Sequence, residues 1–207
     1  MSEPKKFSCL NSVNNPSRKI LILGGALPPS RLVDAFISKK CDVHYTDERI
    51  DEDIAYDLVV SFGYRHILRS NVIEGAGCPI FNLHISYLPF NRGAHPNFWS
   101  FYEGTPAGVT IHLIDEGVDT GDIVYQKAVK FDRNESSFAE TYARLIEEVE
   151  NLLLTNIDEV LYGTWVATPQ QGRGTFHAVD DLPTGFSGWD ANINDEVKRL
   201  SRIHKAQ

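Results

Sequence analysis

The sequence runs to 207 residues, 42% hydrophobic and 23% charged, a balance that suits one domain with a sizeable core and argues against disorder. A formal net charge of -8 argues against a protein whose main work is gripping phosphate backbones, so no nucleic-acid partner is expected. Three cysteines, Cys9, Cys41 and Cys78, are odd in number and lack a CxxC spacing, which implies neither a disulfide framework nor a zinc site and suits reduced thiols in a cytoplasm.

No apolar run approaches the roughly eighteen residues needed to span a bilayer, so no membrane association is expected. Residues 1–17 are polar, have no apolar centre that would make a secretory signal, and read as a poorly ordered lead-in. The run Lys19-Ile20-Leu21-Ile22-Leu23 is apolar at successive positions and reads as a fully buried first strand. Gly24-Gly25 and two prolines follow it, so the dinucleotide fingerprint GxGxxG is absent. Ser30 is placed to cap a helix running to Lys40, with Leu32, Val33, Phe36 and Ile37 as its apolar stripe. Residues 41–45 alternate like a second strand, and Tyr56 to Phe62 form a third, broken by Gly63. A short helix is expected to open at Tyr64 and end at Gly75-Ala76-Gly77.

Strand and helix alternating in this way predict right-handed crossovers and a parallel sheet. Pro79 to His84 is its fourth strand. Strand side chains alternate faces, so Asn82 and His84 point the same way, about 6 to 7 Å apart. The same spacing fits two satisfied core or loop residues. Open parallel sheets, however, bind ligands at the carboxyl ends of their strands, which is where this pair lies.

Downstream, Pro96 to Glu103 reads as a helix with Pro96 in its first turn. Residues 108–114 form a β-branched strand in which His112 shares a face with Thr110 and Ile114 and is expected to pack there. Asp115 to Asp122 holds four carboxylates and two glycines. Its spacing does not match a calcium loop, so it reads as an over-long hairpin connection to a strand spanning 123–131, and such length often carries function. Ser137-Phe138-Ala139-Glu140 is a capping box opening one long scaffold helix to about Tyr162, closed by Gly163. The tail, 164–207, should hold an exposed turn with a short strand around Gln170 to His177 and a last polar helix from Asp195 to His204.

An amide and an imidazole can both donate to an oxygen that becomes negative in a tetrahedral intermediate, and a nearby carboxylate can orient the imidazole and help move protons. No serine or cysteine stands where it would obviously be a nucleophile. Polarising groups without a nucleophile suit direct transfer of an acyl group onto an acceptor's own amine.

The segments Asn82-Leu83-His84-Ile85-Ser86-Tyr87-Leu88-Pro89, Asn91-Arg92-Gly93-Ala94, Gly108 to His112 and Asp115 to Ile123 resemble the 10-formyltetrahydrofolate-dependent formyltransferases over roughly Lys19 to Phe131. The resemblance implies a Rossmann-like α/β fold and a catalytic trio of Asn82, His84 and Asp119. It implies 10-formyltetrahydrofolate as cosubstrate, without a metal, lying against Phe62, Tyr64, His66, Ile67, Tyr87, Leu88, Pro89, Ile114 and Asp115. Ile85 departs from the proline usual beside the family's catalytic histidine.

Within the family the chain has no room for the extra C-terminal domain of the methionyl-tRNA enzymes and lacks the Gly-Ser-Asn loop of the glycinamide ribonucleotide enzymes. It looks most like the group that formylates nucleotide-linked amino sugars, with Arg92, Gly93, His95 and Asn97 toward the acceptor. Peptide-synthetase formylation domains and a folate-binding domain without activity are the alternatives. The expected organisation is one catalytic domain over 18–163 with 164–207 as its extension, and an exposed tail strand able to pair across the two-fold axis of a homodimer.

Overall fold

The computed structural model describes residues 7–11, 17–51, 54–134 and 136–205. The first elements in chain order are β1 (Ser8–Cys9), β2 (Lys19–Leu23), α1 (Ser30–Ser38), β3 (Asp42–Thr46), β4 (Leu58–Ser61), α2 (Ser70–Gly75) and β5 (Ile80–His84). There follow β6 (Arg92–Gly93), α3 (Pro96–Tyr102), β7 (Gly108–Leu113), β8 (Ile123–Ala128), α4 (Phe138–Thr155), α5 (Ile157–Tyr162), β9 (Phe176–His177) and α6 (Ile193–Lys205).

Seven strands form one sheet in the order β1-β3-β2-β4-β5-β7-β8. The four central strands β3, β2, β4 and β5 run parallel as expected. The outer pairings β1–β3, β5–β7 and β7–β8 are antiparallel, so the sheet as a whole is mixed. Both faces of its centre are covered, which is why β2 is apolar at successive positions. Ile20 and Ile22 pack with Val60, Phe81, Ile111 and Leu145 on one face, while Leu21 and Leu23 pack with Val59, Val72 and Ile80 on the other. A third cluster, Phe98, Phe101, Phe138, Ile193 and Leu200, joins α3, the start of α4 and α6.

Several expectations are corrected. Part of the lead-in expected to be poorly ordered forms β1, whose Ser8 and Cys9 register with Tyr45 and His44 at the sheet edge; residues 1–6 and 12–16 lie outside the described residues. The carbonyl of Pro29, not the Ser30 side chain, receives the first amides of α1, because Ser30 is already its first residue. The helix expected to open at Tyr64 begins only at Ser70. Before it, Gly63 adopts φ 68° and Tyr64 is tied by its hydroxyl to the Glu48 carbonyl and the Ile50 amide, holding residues 62–69 as a loop at the carboxyl end of β4. The single helix expected to reach Tyr162 is broken at Asn156, whose amide bonds back to the Leu152 carbonyl, a local bond that competes with helix continuation. The capping box at Ser137 and Glu140 forms, and Gly163 closes α5 at φ 71°.

The tail strand is paired within the chain along one edge. β9 pairs in parallel with β6, aligning Phe176 with Arg92 and His177 with Gly93. Stacking of Trp99 on His177, with ring centroids 3.8 Å apart, fixes this strand from α3. The tail therefore folds back over the loop that follows β5.

Candidate active site

On β5, Phe81 and Leu83 enter one core face, so the alternation sends Asn82 and His84 to the other, past the point where Ile80 still packs in the apolar layer. β7 runs antiparallel beside it and sets His112 opposite Asn82 and Thr110 opposite His84. The connection from β7 to β8 then brings Asp119 over the same spot. Asp119 has φ 53°, a left-handed conformation uncommon outside glycine and characteristic of constrained sites. The loop holds it there: Gln170 donates to the carbonyls of Asp119 and Gly121 at 2.8 Å each, and one oxygen of Asp115 accepts from the Gly117 amide and the Thr120 hydroxyl.

Asp119 is the hub. Its Oδ1 accepts from Asn82 Nδ2 at 3.1 Å and lies 3.4 Å from His112 Nε2; its Oδ2 accepts from the Gly93 amide at 2.9 Å and lies 3.7 Å from His84 Nδ1. Burial alone would push its carboxyl up, but nearby His84, His112 and the Gly93 amide together hold it well below the usual carboxylate range. Asp119 is therefore a carboxylate at neutral pH. This depressed value makes Asp119 a source of stability that is present above the unfolded value near 4 and lost as pH falls below it.

His84 is buried, and that burial lowers its basicity; Asp119 opposes the effect, His112 adds to it, and the Asn91 carbonyl opposes it. Its Nε2 faces the Asn91 carbonyl oxygen at 3.4 Å. A neutral ring carries one proton for two acceptors, so one ring nitrogen keeps a free lone pair, which is what a base requires. An NMR titration of the imidazole signals should place the His84 midpoint below the ordinary histidine value of about 6.5. A midpoint at or above 6.5 contradicts this.

His112 was expected only to pack on its strand face, and the structure makes it part of the site. Its Nδ1 donates to the Leu113 carbonyl at 2.8 Å, leaving Nε2 to accept from Asn82 Nδ2 at 3.1 Å. Both Asn82 amide protons are then committed, one to a neutral imidazole and one to a carboxylate. The alternation of the strand placed His112 on a face; only the antiparallel register with β5, a long-range fact, shows which face. Replacing His112 with Phe should keep the fold, cost about 1–3 kcal/mol of stability by leaving the Asn82 donor unmatched in the resting site, and lower kcat because the amide loses the partner that aims it. A KM change alone would contradict that positioning role.

These groups open into a cleft of about 610 Å³. Of the residues expected toward the cosubstrate, Phe62, Tyr64, His66, Ile67, Ile114 and Asp115 line it, with Ile67 72% exposed on its wall. Tyr87, Leu88 and Pro89 do not line it. The Leu88 amide and carbonyl are taken by Thr110 and Gln126, and the Pro89 carbonyl receives the Thr175 amide, so this turn anchors the sheet and the tail. Of the residues expected toward the acceptor, Gly93 lines the cleft but spends its amide on Asp119. Arg92 is bound to Gln170 Oε1 at 3.1 and 2.6 Å. His95 and Asn97 line a second, adjoining cavity, where the buried Asn97 amide is engaged by the Phe138 carbonyl and the Thr141 hydroxyl. Sequence reasoning left α4 without chemistry, yet Tyr142 and Ile146 line the cleft, as do Phe176 to Val179 of the tail.

For a metal, Cys9, Asp42 and His44 are the group among the described residues that brings ligand atoms together, within 4.8 Å of one another. They sit on β1 and β3, with β2 and β4 between them and β5, and none lines the cleft. Among the described residues no helix is long and apolar enough to cross a membrane.

The strand ends thus set an amide, an imidazole and a buried carboxylate around an open cleft that Ser61 of β4 also lines, groups able to polarise a carbonyl and move a proton. Comparison with known proteins gives the family: the model described as formyl transferase matches residues 38–157, and the chain belongs to that family. It is 34% identical over 144 residues to the dTDP-4-amino-4,6-dideoxyglucose formyltransferase of Mycobacterium tuberculosis, a match covering 69% of this chain and 59% of that protein. The chain thus spans less than two thirds of that relative's length. Among solved structures, the formyltransferase PseJ from Anoxybacillus kamchatkensis, in complex with UDP-4,6-dideoxy-4-formamido-L-AltNAc and tetrahydrofolate, superposes with a TM-score of 0.80 at 35% identity, covering 88% of this chain and 99% of that one. The N-formyltransferase of Helicobacter canadensis shares the fold at 16% identity with a TM-score of 0.70, covering 91% and 82% of the two chains.

Proposed function

We propose that this chain is an N-formyltransferase that moves a formyl group from 10-formyltetrahydrofolate to the amine of a nucleotide-linked amino deoxysugar. The observation that carries the reading is the convergence of Asn82, His84 and Asp119 at the mouth of the cleft, from a strand end and a hairpin loop 35 residues downstream of His84. The two relatives above, one named for a dTDP-amino sugar and one bound to a UDP-formamido sugar with tetrahydrofolate, support the substrate class. Phe62, Ile67 and Ile114 supply apolar surface and Tyr64, His66 and Asp115 polar groups to a wall suited to a pterin.

In this mechanism the neutral amine of the sugar attacks the formyl carbon. A carbon–nitrogen bond forms and the carbonyl electron pair moves onto oxygen. His84, holding a free lone pair, takes the proton that the attacking nitrogen must lose. Asn82 donates to the oxyanion by giving up its weaker bond, the one to neutral His112, while its charge-assisted bond to Asp119 keeps the amide aimed. Collapse of the intermediate breaks the bond to folate N10, which leaves with the proton from His84. Asp119 stabilises the transient imidazolium between the two transfers.

Incubation with 10-formyltetrahydrofolate and a panel of UDP- and dTDP-linked amino sugars tests this directly. The expected result is a product heavier by one formyl group, with stoichiometric tetrahydrofolate. Binding of folate without transfer to any member of the panel contradicts it.

A further inference from the structure

Beside the catalytic cleft lies a second cavity of about 580 Å³, lined in part by His95, Phe138, Tyr142 and Trp189. It shares Arg65, Ile85, Pro96 and Tyr142 with the cleft, so the two meet at those residues. Each volume is in the range that holds one small ligand. A folate and a nucleotide-linked sugar together need both.

We propose that this second cavity takes the nucleoside diphosphate of the acceptor, with its base stacked on Trp189 and its diphosphate held by Arg65 at the junction. The inference rests on the amino-sugar reading above and adds where the nucleotide goes.

Three observations carry it. First, Trp189 is built as a stacking platform. Its ring is braced by His95 at 5.3 Å and by the edge of Phe186 at 4.9 Å, and its carbonyl accepts from the Ala139 amide in the first turn of α4 at 2.8 Å. Despite this anchoring it remains 40% exposed. A fixed, half-open indole beside a cavity is suited to a planar base and tolerates several of them.

Second, Arg65 is the one lysine or arginine that lines either cavity among the described residues, and it is exposed at their junction. A chain of net charge -8 repels a diphosphate unless a local cation receives it, and a guanidinium fork fits phosphate oxygens. His95 is the weaker candidate for that role, because burial lowers its basicity, opposed by the hydrogen bond it donates to the Val179 backbone. Third, Trp189 belongs to the tail, outside the 38–157 segment that matches the family. An element that reads the acceptor belongs where the chain departs from the shared catalytic framework.

Isothermal titration with UDP, dTDP and the corresponding nucleosides tests the placement, using the wild-type chain, Trp189→Ala and Arg65→Gln. Trp189→Ala should weaken both nucleotides about tenfold or more, and Arg65→Gln should weaken the diphosphates while leaving the nucleosides unchanged. Tetrahydrofolate should bind wild type and Trp189→Ala alike. Nucleotides that bind wild type and Trp189→Ala equally overturn the placement and leave the amino-sugar reading standing. Failure of wild type to bind either nucleotide, while it binds folate, overturns that reading and the placement with it.

Discussion

Asp119→Asn should fold normally and lose about a thousandfold in kcat, within the range expected for removing a group that assists proton transfer. Folding should survive because asparagine is nearly the same size and is among the few residues that tolerate the left-handed conformation at this position, φ 53°. The chemistry should not survive, for a geometric reason. The carboxylate meets donors on both sides: Asn82 Nδ2 at Oδ1 and the Gly93 amide at Oδ2. An amide offers one oxygen, so whichever way it turns, its own NH₂ faces a donor. The negative charge that offsets the transient His84 imidazolium is also gone. The variant should lose less stability than wild type on acidification, because the wild-type carboxylate contributes stability above the unfolded value near 4 that is lost as pH falls below it. Single-turnover rates at pH 7, and urea midpoints at pH 7 and at about pH 2.5, below the unfolded carboxylate value, check both halves. A variant within tenfold of wild type in kcat would remove Asp119 from the mechanism.

The second large effect is expected at a residue that carries no side chain. Gly93 has φ 85°, and a Cβ there would overlap the His177 carbonyl oxygen of β9. Gly93→Ala must therefore either strain its backbone or separate β6 from β9. Either response moves the amide that holds Asp119 Oδ2. Strain of this kind costs about 1–3 kcal/mol, which at about 2–4 °C per kcal/mol for a chain of this size is a visible fall in Tm. The rate should fall further than that stability loss implies, by tenfold or more in kcat at temperatures where the variant is fully folded. This ties the tail to the proposed chemistry, because its strand stands behind the amide that holds Asp119. A variant with lowered Tm and unchanged kcat would show that β9 only stabilises the fold.

Much of the central sheet was legible because its strands are covered on both faces and so read as apolar runs, Lys19 to Leu23 most clearly. The hairpin loop was legible from its excess length and its carboxylates. What escaped the sequence depended on distant pairings. His112 joins the site only through its antiparallel register with Asn82, and that register is set by strands 30 residues apart in the chain. The two-residue strands β6 and β9 are too short to carry any periodicity, so the docking of the tail, and with it the commitments of Arg92 and Gly93, had no local signal. The break at Asn156 hid inside a hydrophobic pattern that continues across it, since Ile157, Val160 and Leu161 stay buried on the same core. Tyr87 to Pro89 follow β5 closely in sequence but are not among the residues lining the cleft, and the backbone groups of Leu88 and Pro89 are claimed by Thr110, Gln126 and Thr175.

The network also changes the expected part played by Asn82. In the resting site it has no spare donor, since both amide protons are placed at 3.1 Å on His112 and Asp119. In the proposed mechanism its service to an oxyanion requires an exchange of partners, and the imidazole is the partner more readily released than the carboxylate. His112 thereby sets the resting orientation of the amide without touching the reacting atoms.

The most direct test of the central claim is a formyl-transfer assay with wild type and the Asn82→Ala, His84→Ala and Asp119→Asn variants, given 10-formyltetrahydrofolate and the acceptor found in the nucleotide-sugar panel. Wild type should release tetrahydrofolate in step with formylated sugar, and each variant should bind both substrates yet turn over at least a hundredfold more slowly. Near-wild-type turnover in all three would contradict the account.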